Sequence, residues 1–261
     1  MNASTSISHK EWWPWYNKIL NTFGYERSKD QLAADVLSSL ISHRAVDPQQ
    51  LKILLSGKPV LVFGAGPSLE EDLQQIVKKN LLRKCTIISA DGATTALLQL
   101  AEVVLDVVVT DLDGNIDDLL RADGLGSVMM VHGHGDNISR LRKYVPKFKN
   151  VIGTTQVEPR PNVYNFGGFT DGDRAVFLAV AMGAKLVALA GMDLGQIVGK
   201  YSKKQVRSVE VKISKLKICK ELLEWLASRV DVPLYNITGH GEDIRGFIDI
   251  TCSELTRIVD S

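Results

Sequence analysis

The chain has few cysteines, no long hydrophobic run and almost no net charge, and each absence narrows what it can be. Its three cysteines, Cys85, Cys219 and Cys252, are widely spaced and form no CxxC pair. The sequence therefore supports neither a disulfide framework nor a cysteine zinc site, and it suits a reducing cytoplasm. No stretch approaches about 18 uninterrupted apolar residues, and the first residues lack the apolar core of a signal peptide. We expect a cytoplasmic protein that does not enter membranes.

The formal net charge of +1 gives no broad attraction to nucleic acid or to an anionic surface. The charge is unevenly distributed, because residues 102–123 are rich in aspartate and residues 200–220 are rich in lysine. An acidic segment can hold a metal ion while a basic segment holds phosphate. We therefore expect small-molecule substrates as partners, with neither nucleic acid nor membrane among them. The sequence is also compatible with a homodimer.

Hydrophobic patterns divide the chain into a helical N-terminal extension, residues 1–57, and an α/β domain, residues 58–261. The aromatic segment 12–16 of the extension is expected to pack onto the main domain. Beyond it, short apolar runs alternate with helical patterns. Strands are predicted at 60–63, 86–90, 107–110, 128–132, 151–154, 185–190, 234–237 and 247–250. Continuous apolar strands alternating with helices predict a doubly wound, mostly parallel, Rossmann-like sheet.

Aspartates follow several of the predicted strands, at the edge where open α/β sheets bind ligands. Two carboxylates about 4 Å apart repel by about 4 kcal/mol at an effective dielectric of about 20, and a divalent cation removes that repulsion. The pattern predicts a Mg²⁺-dependent, phosphate-handling enzyme. The candidates are Asp91, Asp111, Asp113, Asp136, Asp171 and Asp173.

Asp111 and Asp113 follow the strand predicted at 107–110 and form an Asp-x-Asp pair. A spacing of two places both carboxylates on one side of an extended backbone. Mg²⁺ bound to a polyphosphate takes few protein carboxylates, which suits this pair. The alternative is that Asp111 caps a helix and that Asp113 and Gly114 form a turn.

The turn Gly64-Ala65-Gly66-Pro67-Ser68-Leu69 joins the first predicted strand of the α/β domain to a helix. Its glycines let the backbone approach a ligand, and the helix start offers free N–H groups. Leu69 stands where a dinucleotide fingerprint has its last glycine, which weighs against a dinucleotide. The alternative is a tight turn with Ser68 as the helix cap.

Two further loops carry polar residues into the predicted site. The segment 132–137, His-Gly-His-Gly-Asp-Asn, is a poor zinc signature, so we expect Asp136 to join the metal ligands. His132 and His134 are then expected to donate to phosphate, and the alternative is that they are only loop residues. The segment 165–175 ends in a helix start that contains Arg174. An arginine there is unfavourable to the helix dipole unless an anion is bound, so Arg174 is predicted to contact phosphate.

Taken together, the motifs resemble the archaeal 6-hydroxymethyl-7,8-dihydropterin diphosphokinase family, which is related in fold to thiamine pyrophosphokinases. The matching stretches are 64–69, 90–93, 109–114, 132–137, 153–156, 167–175 and 191–195. The resemblance implies transfer of a diphosphoryl group from ATP to the hydroxymethyl oxygen of a reduced pterin, with release of AMP. It also implies Mg²⁺ and a place in the synthesis of a folate-like or methanopterin-like coenzyme.

The resemblance also implies roles for individual residues. Asp111, Asp113 and Arg174 become catalytic, and Asp111, Asp113 and Asp136 become the metal ligands. ATP is assigned to Asp91, Gly92, His134, Arg174 and Lys215. The substrate is assigned to Gly64, Gly66, Ser68, Asn165, Asp171 and Asp173, since a pterin ring with N–H donors calls for buried carboxylates or amides.

Two other functions fit parts of the pattern. The Gly-x-Gly-Pro-Ser-Leu turn also resembles bacterial proteins that modify flagellin with sialic-acid-like sugars, so a metal-dependent glycosyltransferase is one alternative. A nucleotide-binding sensor or scaffold without catalysis is the other. Turnover separates the three: AMP formation that depends on hydroxymethylpterin, consumption of a sugar nucleotide, or binding alone.

Overall fold

A computed structural model describes residues 7–195, 199–201 and 209–261 of the chain. These residues contain nine strands, named in chain order: β1 (Pro59–Phe63), β2 (Thr86–Ala90), β3 (Val107–Thr110), β4 (Val128–His132), β5 (Val151–Thr154), β6 (Val163–Tyr164), β7 (Leu186–Ala190), β8 (Leu234–Asn236) and β9 (Ile248–Asp249). They form one sheet in the order β6-β5-β4-β3-β2-β1-β7-β8-β9. All neighbouring strands pair in parallel, which confirms the predicted α/β fold.

The described residues also contain ten α-helices: α1 (His9–Phe23), α2 (Arg27–Ile41), α3 (Pro48–Leu55), α4 (Leu69–Lys78), α5 (Asp91–Ala96), α6 (Ile116–Gly124), α7 (Ile138–Tyr144), α8 (Asp171–Ala181), α9 (Val209–Ala227) and α10 (Cys252–Asp260). Short 3₁₀ helices lie at Leu81–Arg83, Gly135–Asn137 and Val145–Lys147, and a π-helical turn lies at Leu97–Ala101. Among the described helices, none has the length and apolar character that crossing a lipid bilayer requires.

The central strands form where the sequence places uninterrupted apolar and β-branched residues. Every residue of β2, β3, β4, β5 and β7 is buried. A strand covered on both faces needs such continuous runs, and the predicted bounds of β2 to β5 match the structure residue for residue. β6 was missed, because its two residues are too few to show a period.

The strand order places the functional loops at one edge of the sheet. From β1 the chain moves outward through β2 to β6, and it then returns to β7 on the other side of β1. The loops that follow β1 and β7 are therefore neighbours at the switch point of the sheet. The returning helix α8 contacts β1, β2, β3 and β7, and its start lies at the same edge as the strand ends. Because α8 packs against these strands, nine of its eleven residues are buried.

The N-terminal extension is helical, as predicted, and packs beside β5. Trp12 and Tyr16 are buried, in agreement with the expectation that this aromatic segment packs inward. The Trp12 indole donates a hydrogen bond to the Gln156 carbonyl at 2.8 Å, just beyond β5. Helix α2 contacts β5, β6 and α7. The division of the chain into two units at residue 57 stays a prediction.

Candidate metal and phosphate site

Three carboxylates from two loops converge at the edge of the sheet. Asp91 is the first residue of α5, directly after β2, and Asp111 and Asp113 follow β3. One ligand oxygen from each side chain lies within 4.8 Å of the other two. Asp91 is buried and the other two are partly buried. Hard oxygen atoms this close to one another suit Mg²⁺, and we call these residues the carboxylate triad.

The end of β3 holds Asp91 in position. The Thr110 hydroxyl donates to Asp91 Oδ2 at 2.5 Å, and the Gly114 N–H donates to the same oxygen at 3.2 Å. A Cβ on Gly114 would fall 1.8 Å from Asp91 Oδ1, so the loop needs glycine there. The two loops of the triad therefore fit together through direct contacts.

Asp111 and Asp113 converge by a different route from the one that the sequence suggested. The expectation was an extended backbone, but Leu112 between them has a φ of 66°, in the left-handed region. Its N–H donates to Thr110 Oγ1 at 2.8 Å, and its side chain is buried. A non-glycine residue in this region is strained, and such positions often occur at functional sites. The backbone turns at Leu112, and the carboxylates still meet.

Asp136 lies outside the triad, although the sequence placed it among the metal ligands. It is exposed, in the 3₁₀ helix Gly135–Asn137, and its N–H donates to His134 Nδ1 at 3.3 Å. In the described part of the chain, the acidic group suited to a metal contains Asp91 in its place. The reason is the anchoring of the 133–137 loop by Asn137 and by Asp30.

Asn137 ties the loop after β4 to the loop after β3. Its side-chain amide donates to the Asp111 carbonyl at 2.9 Å and to the His132 carbonyl at 2.7 Å. The side chain is completely buried. Sequence reasoning did not single it out, although a polar residue that ends a glycine-rich loop was the available signal.

Asp30 on α2 brings the N-terminal extension into the same site. It is 4% exposed, and its Oδ1 accepts from the Gly135 N–H at 2.8 Å. Its Oδ2 accepts from the Tyr16 hydroxyl and from the Gln156 side chain, both at 2.8 Å. Sequence reasoning missed Asp30. The signal was an aspartate on the apolar stripe that continues through Ala33, Ala34, Leu37 and Ile41.

Arg174 is completely buried at the start of α8. Its Nη2 lies 3.2 Å from His132 Nε2 and donates to the Phe169 carbonyl at 3.1 Å. Its Nε and Nη1 atoms have no hydrogen-bond partner among the residues that the structure describes. Burial lowers the pKa of Arg174, against the opposing charges of Asp173 and other aspartates. A buried guanidinium with two open donors is costly unless an acceptor binds there, which supports the predicted phosphate contact.

Two histidines connect Arg174 with the triad. The His132 and His134 rings stack with their centroids 5.7 Å apart, and His134 Nε2 lies 3.6 Å from Asp111 Oδ2. Burial, followed by the charge of Arg174, holds the pKa of His132 well below its ordinary value, so the ring is neutral at neutral pH. Among the described residues, neither histidine belongs to the carboxylate triad.

Of the residues assigned to substrate in the segment 165–175, Asp173 and Asn165 form hydrogen bonds within the local structure. Asp173 is completely buried and accepts from the backbone of Phe169 and from the backbone and hydroxyl of Thr170, which caps α8. Burial raises the pKa of Asp173. The Asn165 side-chain nitrogen donates to the Val157 carbonyl, and its Oδ1 accepts from the Gly167 N–H, each at 3.1 Å. Asp171 is partly exposed, next to Arg174 at the start of the helix.

Lys215, which was assigned to ATP, lies in an aromatic environment close to this loop. Its Nζ is 5.7 Å from the Phe169 ring centroid and 5.9 Å from that of Tyr25. The lysines at 203 and 204 of the basic segment lie outside the described residues.

Gly92, which was also assigned to ATP, packs closely against the chain, since a Cβ there would fall 2.5 Å from the Tyr201 carbonyl oxygen.

The glycine turn after β1 contacts the loop after β7. A Cβ on Gly66 would fall 1.9 Å from Asp193 Oδ2, and one on Gly64 would fall 2.4 Å from the sulfur of Met192. These glycines allow two protein loops to approach each other at the switch point. This contact supports the tight-turn alternative, and a substrate role for either glycine stays a prediction.

Ser68 bonds side chains rather than capping α4 as the sequence suggested. Its hydroxyl lies 2.8 Å from Asp72 Oδ2 and 3.0 Å from Asp193 Oδ2. Asp72 also accepts from the N–H groups of Gly191 at 2.8 Å and Gly239 at 2.9 Å. We call Ser68, Asp72 and Asp193 the switch-point cluster. Burial, with a smaller contribution from Asp193, raises the pKa of Asp72.

Comparison with known proteins gives a consistent result. The family model described as 6-hydroxymethylpterin diphosphokinase MptE-like matches residues 39–199. A protein of Methanothermobacter thermautotrophicus is 44% identical over 227 residues, which is 85% of this chain and 96% of the relative. A protein of Pyrococcus furiosus is 48% identical over 223 residues, which is 83% of this chain and 93% of the relative. Both are named 6-hydroxymethyl-7,8-dihydropterin pyrophosphokinase.

A third relative with the same name, from Methanocaldococcus jannaschii, is 39% identical over 235 residues, 85% of this chain and 97% of its own length. Among solved structures, the MAf glycosyltransferase from Magnetospirillum magneticum AMB-1 superposes with a TM-score of 0.51 at 18% identity. The match covers 85% of this chain and 39% of that chain. A likeness at this identity shows a shared fold and leaves function open.

Proposed function

The chain belongs to the MptE-like family of 6-hydroxymethylpterin diphosphokinases, and we propose that it transfers diphosphate from ATP to 6-hydroxymethyl-7,8-dihydropterin in a Mg²⁺-dependent reaction. The hydroxymethyl oxygen attacks the β-phosphorus of ATP, the bond from that phosphorus to the α,β-bridging oxygen breaks, and AMP leaves. The hydroxyl proton is released. The product is an activated pterin for a folate-like or methanopterin-like coenzyme.

The carboxylate triad is the observation that carries the metal and ATP parts of this proposal. Asp91, Asp111 and Asp113 supply oxygen ligands from two loops within 4.8 Å of one another. Mg²⁺ bound there neutralises part of the polyphosphate charge. The triad differs from the set expected from sequence, because Asp91 replaces Asp136. Little covalent work falls to the protein in phosphoryl transfer, so positioning and charge account for most of the catalysis.

Arg174 and His134 supply the remaining contacts to phosphate in this proposal. The two open donors of Arg174 suit a pair of phosphate oxygens, and its burial strengthens such a bond. His134, 3.6 Å from Asp111, lies where it can reach a phosphate held at the triad. Asp171 stays our candidate for the pterin N–H groups, because its carboxylate is partly exposed at the start of α8, whereas Asn165 and Asp173 are buried.

The direct test is AMP formation from ATP, Mg²⁺ and 6-hydroxymethyl-7,8-dihydropterin. We expect AMP only when all three are present. Consumption of a sugar nucleotide would indicate a transferase of another kind, and tight binding of ATP without turnover would indicate a sensor. Asp136→Asn is a matched control for Asp111→Asn, because it removes an equal charge from a neighbouring loop. We expect Asp136→Asn to retain most of the activity.

A further inference from the structure

A cavity of about 330 Å³ opens next to the carboxylate triad. Asp113 and Gly114 form one wall, and Ser139, Arg140 and Lys143 of α7 form the other. Gly114 also donates its N–H to Asp91, so the cavity wall and the triad share one loop. The volume is at the lower end of the range for small-molecule sites, enough for part of a nucleotide.

The cavity combines two cations with one carboxylate. Arg140 and Lys143 are three residues apart on α7, so their side chains project from the same side of the helix. In the described part of the chain neither forms an ion pair; Lys143 Nζ lies 4.8 Å from the Tyr144 ring centroid. Asp113 is the only acidic residue among those that line the cavity.

We propose that Arg140 and Lys143 bind the polyphosphate chain of the nucleotide whose metal ion the triad holds. Three carboxylates alone select a cation, and two cations alone select an anion. A polyphosphate with its bound metal ion presents a cation to the carboxylate triad and an anion to Arg140 and Lys143, which lie side by side. Arg140 offers a planar fork for two phosphate oxygens, and Lys143 offers a point charge.

This inference rests on the proposed function and adds two residues to it. The reduced pterin is the other substrate, but its ring is neutral and displays N–H donors. It gains little from two cations, so the charge of the cavity favours the nucleotide. Arg142 lies on the same helix, is exposed, and does not line the cavity, which makes it a matched control.

The test compares Arg140→Ala/Lys143→Ala with Arg142→Ala in the full chain. Calorimetry measures the affinity for Mg-ATP in the absence of pterin, and inorganic tripolyphosphate serves as a competing probe. We expect the double variant to bind Mg-ATP and tripolyphosphate about tenfold or more weakly than wild type, and the control to bind both as wild type does. In turnover assays the KM for ATP should rise while the KM for the pterin stays unchanged.

Equal affinity of the double variant and wild type for Mg-ATP and tripolyphosphate would overturn the inference. So would an increase confined to the KM of the pterin, which would assign the cavity to that substrate. Wild-type protein that binds Mg-ATP but forms no AMP would contradict the diphosphokinase proposal alone, since the binding comparison still decides the cavity. Arg140→Gln and Lys143→Gln as single variants, with melting temperatures measured, replace the double variant if it fails to fold.

Discussion

Two acidic groups at the same edge of the sheet behave differently. In the switch-point cluster, Asp72 and Asp193 accept hydrogen bonds from backbone N–H groups and share the hydroxyl of Ser68. In the carboxylate triad, three side chains from two loops face one another. An aspartate at a strand end is therefore not sufficient to mark a ligand site. Asp91 also accepts hydrogen bonds, so the difference lies in the grouping: the triad brings three carboxylates within 4.8 Å of one another, whereas the two carboxylates of the switch-point cluster share one hydroxyl donor.

The positions of the two groups sharpen this contrast. The switch point of an open α/β sheet is the usual ligand crevice, and here it lies between β1 and β7. Ser68 and Asp193 join the loops across that crevice in the described structure. The triad lies beside it, at the ends of β2 and β3. If this distinction is correct, substitutions in the triad should affect catalysis and substitutions in the switch-point cluster should affect stability.

The largest effect is expected for Asp111→Asn and Asp113→Asn. Each substitution is nearly isosteric and removes the charge that attracts Mg²⁺, so turnover should fall by more than about 100-fold. The melting temperature of the metal-free protein should stay unchanged or rise slightly, because repulsion within the triad decreases. Steady-state kinetics and thermal unfolding on the same preparations measure both quantities. A variant that melts much earlier yet keeps its turnover per folded molecule would show that these aspartates only shape the turn.

Arg174→Lys should produce the next largest effect. The substitution retains the positive charge but replaces a two-pronged donor with a single ammonium, so kcat/KM should fall by roughly 10- to 100-fold. The fall in kcat/KM should be larger for ATP than for the pterin. Kinetics equal to wild type would remove Arg174 from the phosphate contacts and leave its burial without a catalytic reason.

A pair of glycine substitutions compares the two groups directly. Gly114→Ala places a methyl group against Asp91, and Gly66→Ala places one against Asp193. We expect the first to lower turnover by about tenfold through displacement of a triad ligand. The second should lower the free energy of unfolding by about 1–3 kcal/mol and leave turnover per folded molecule intact. Weakened ligand binding in a fully stable Gly66→Ala protein would instead make the turn after β1 a substrate site.

The smallest effect concerns pH and Asp72. Burial raises the pKa of its carboxyl above the ordinary value of 3.8. The folded state therefore holds this proton more tightly, so the contribution to stability is complete below the ordinary pKa and is lost as pH rises through the folded pKa. Asp72→Asn should flatten the dependence of the free energy of unfolding on pH in that range. The change in free energy should be smaller than the one expected for Gly66→Ala. Urea unfolding across the acidic range checks this, and an identical slope in both proteins would contradict it.

The sequence predicted the frame of the molecule more closely than the details of its site. Strands such as β3 could be predicted because a strand buried on both faces requires an unbroken apolar run. The grouping of Asp91 with Asp111 and Asp113 could not, because it depends on how far each loop extends beyond its strand. The left-handed turn at Leu112 and the contact of Gly66 with Asp193 likewise depend on tertiary structure, which local patterns do not encode.

Asp30 contributes to the candidate site although it lies outside the residues that match the family model. The family model begins at residue 39, whereas Asp30 holds the loop that carries His134 from a helix upstream of that point. A shortened chain that starts at the family boundary would leave the Gly135 N–H and the Gln156 amide without their acceptor. Exchanging the helical extension between relatives would therefore exchange the side chain that anchors the loop carrying His134, together with the helix that presents it.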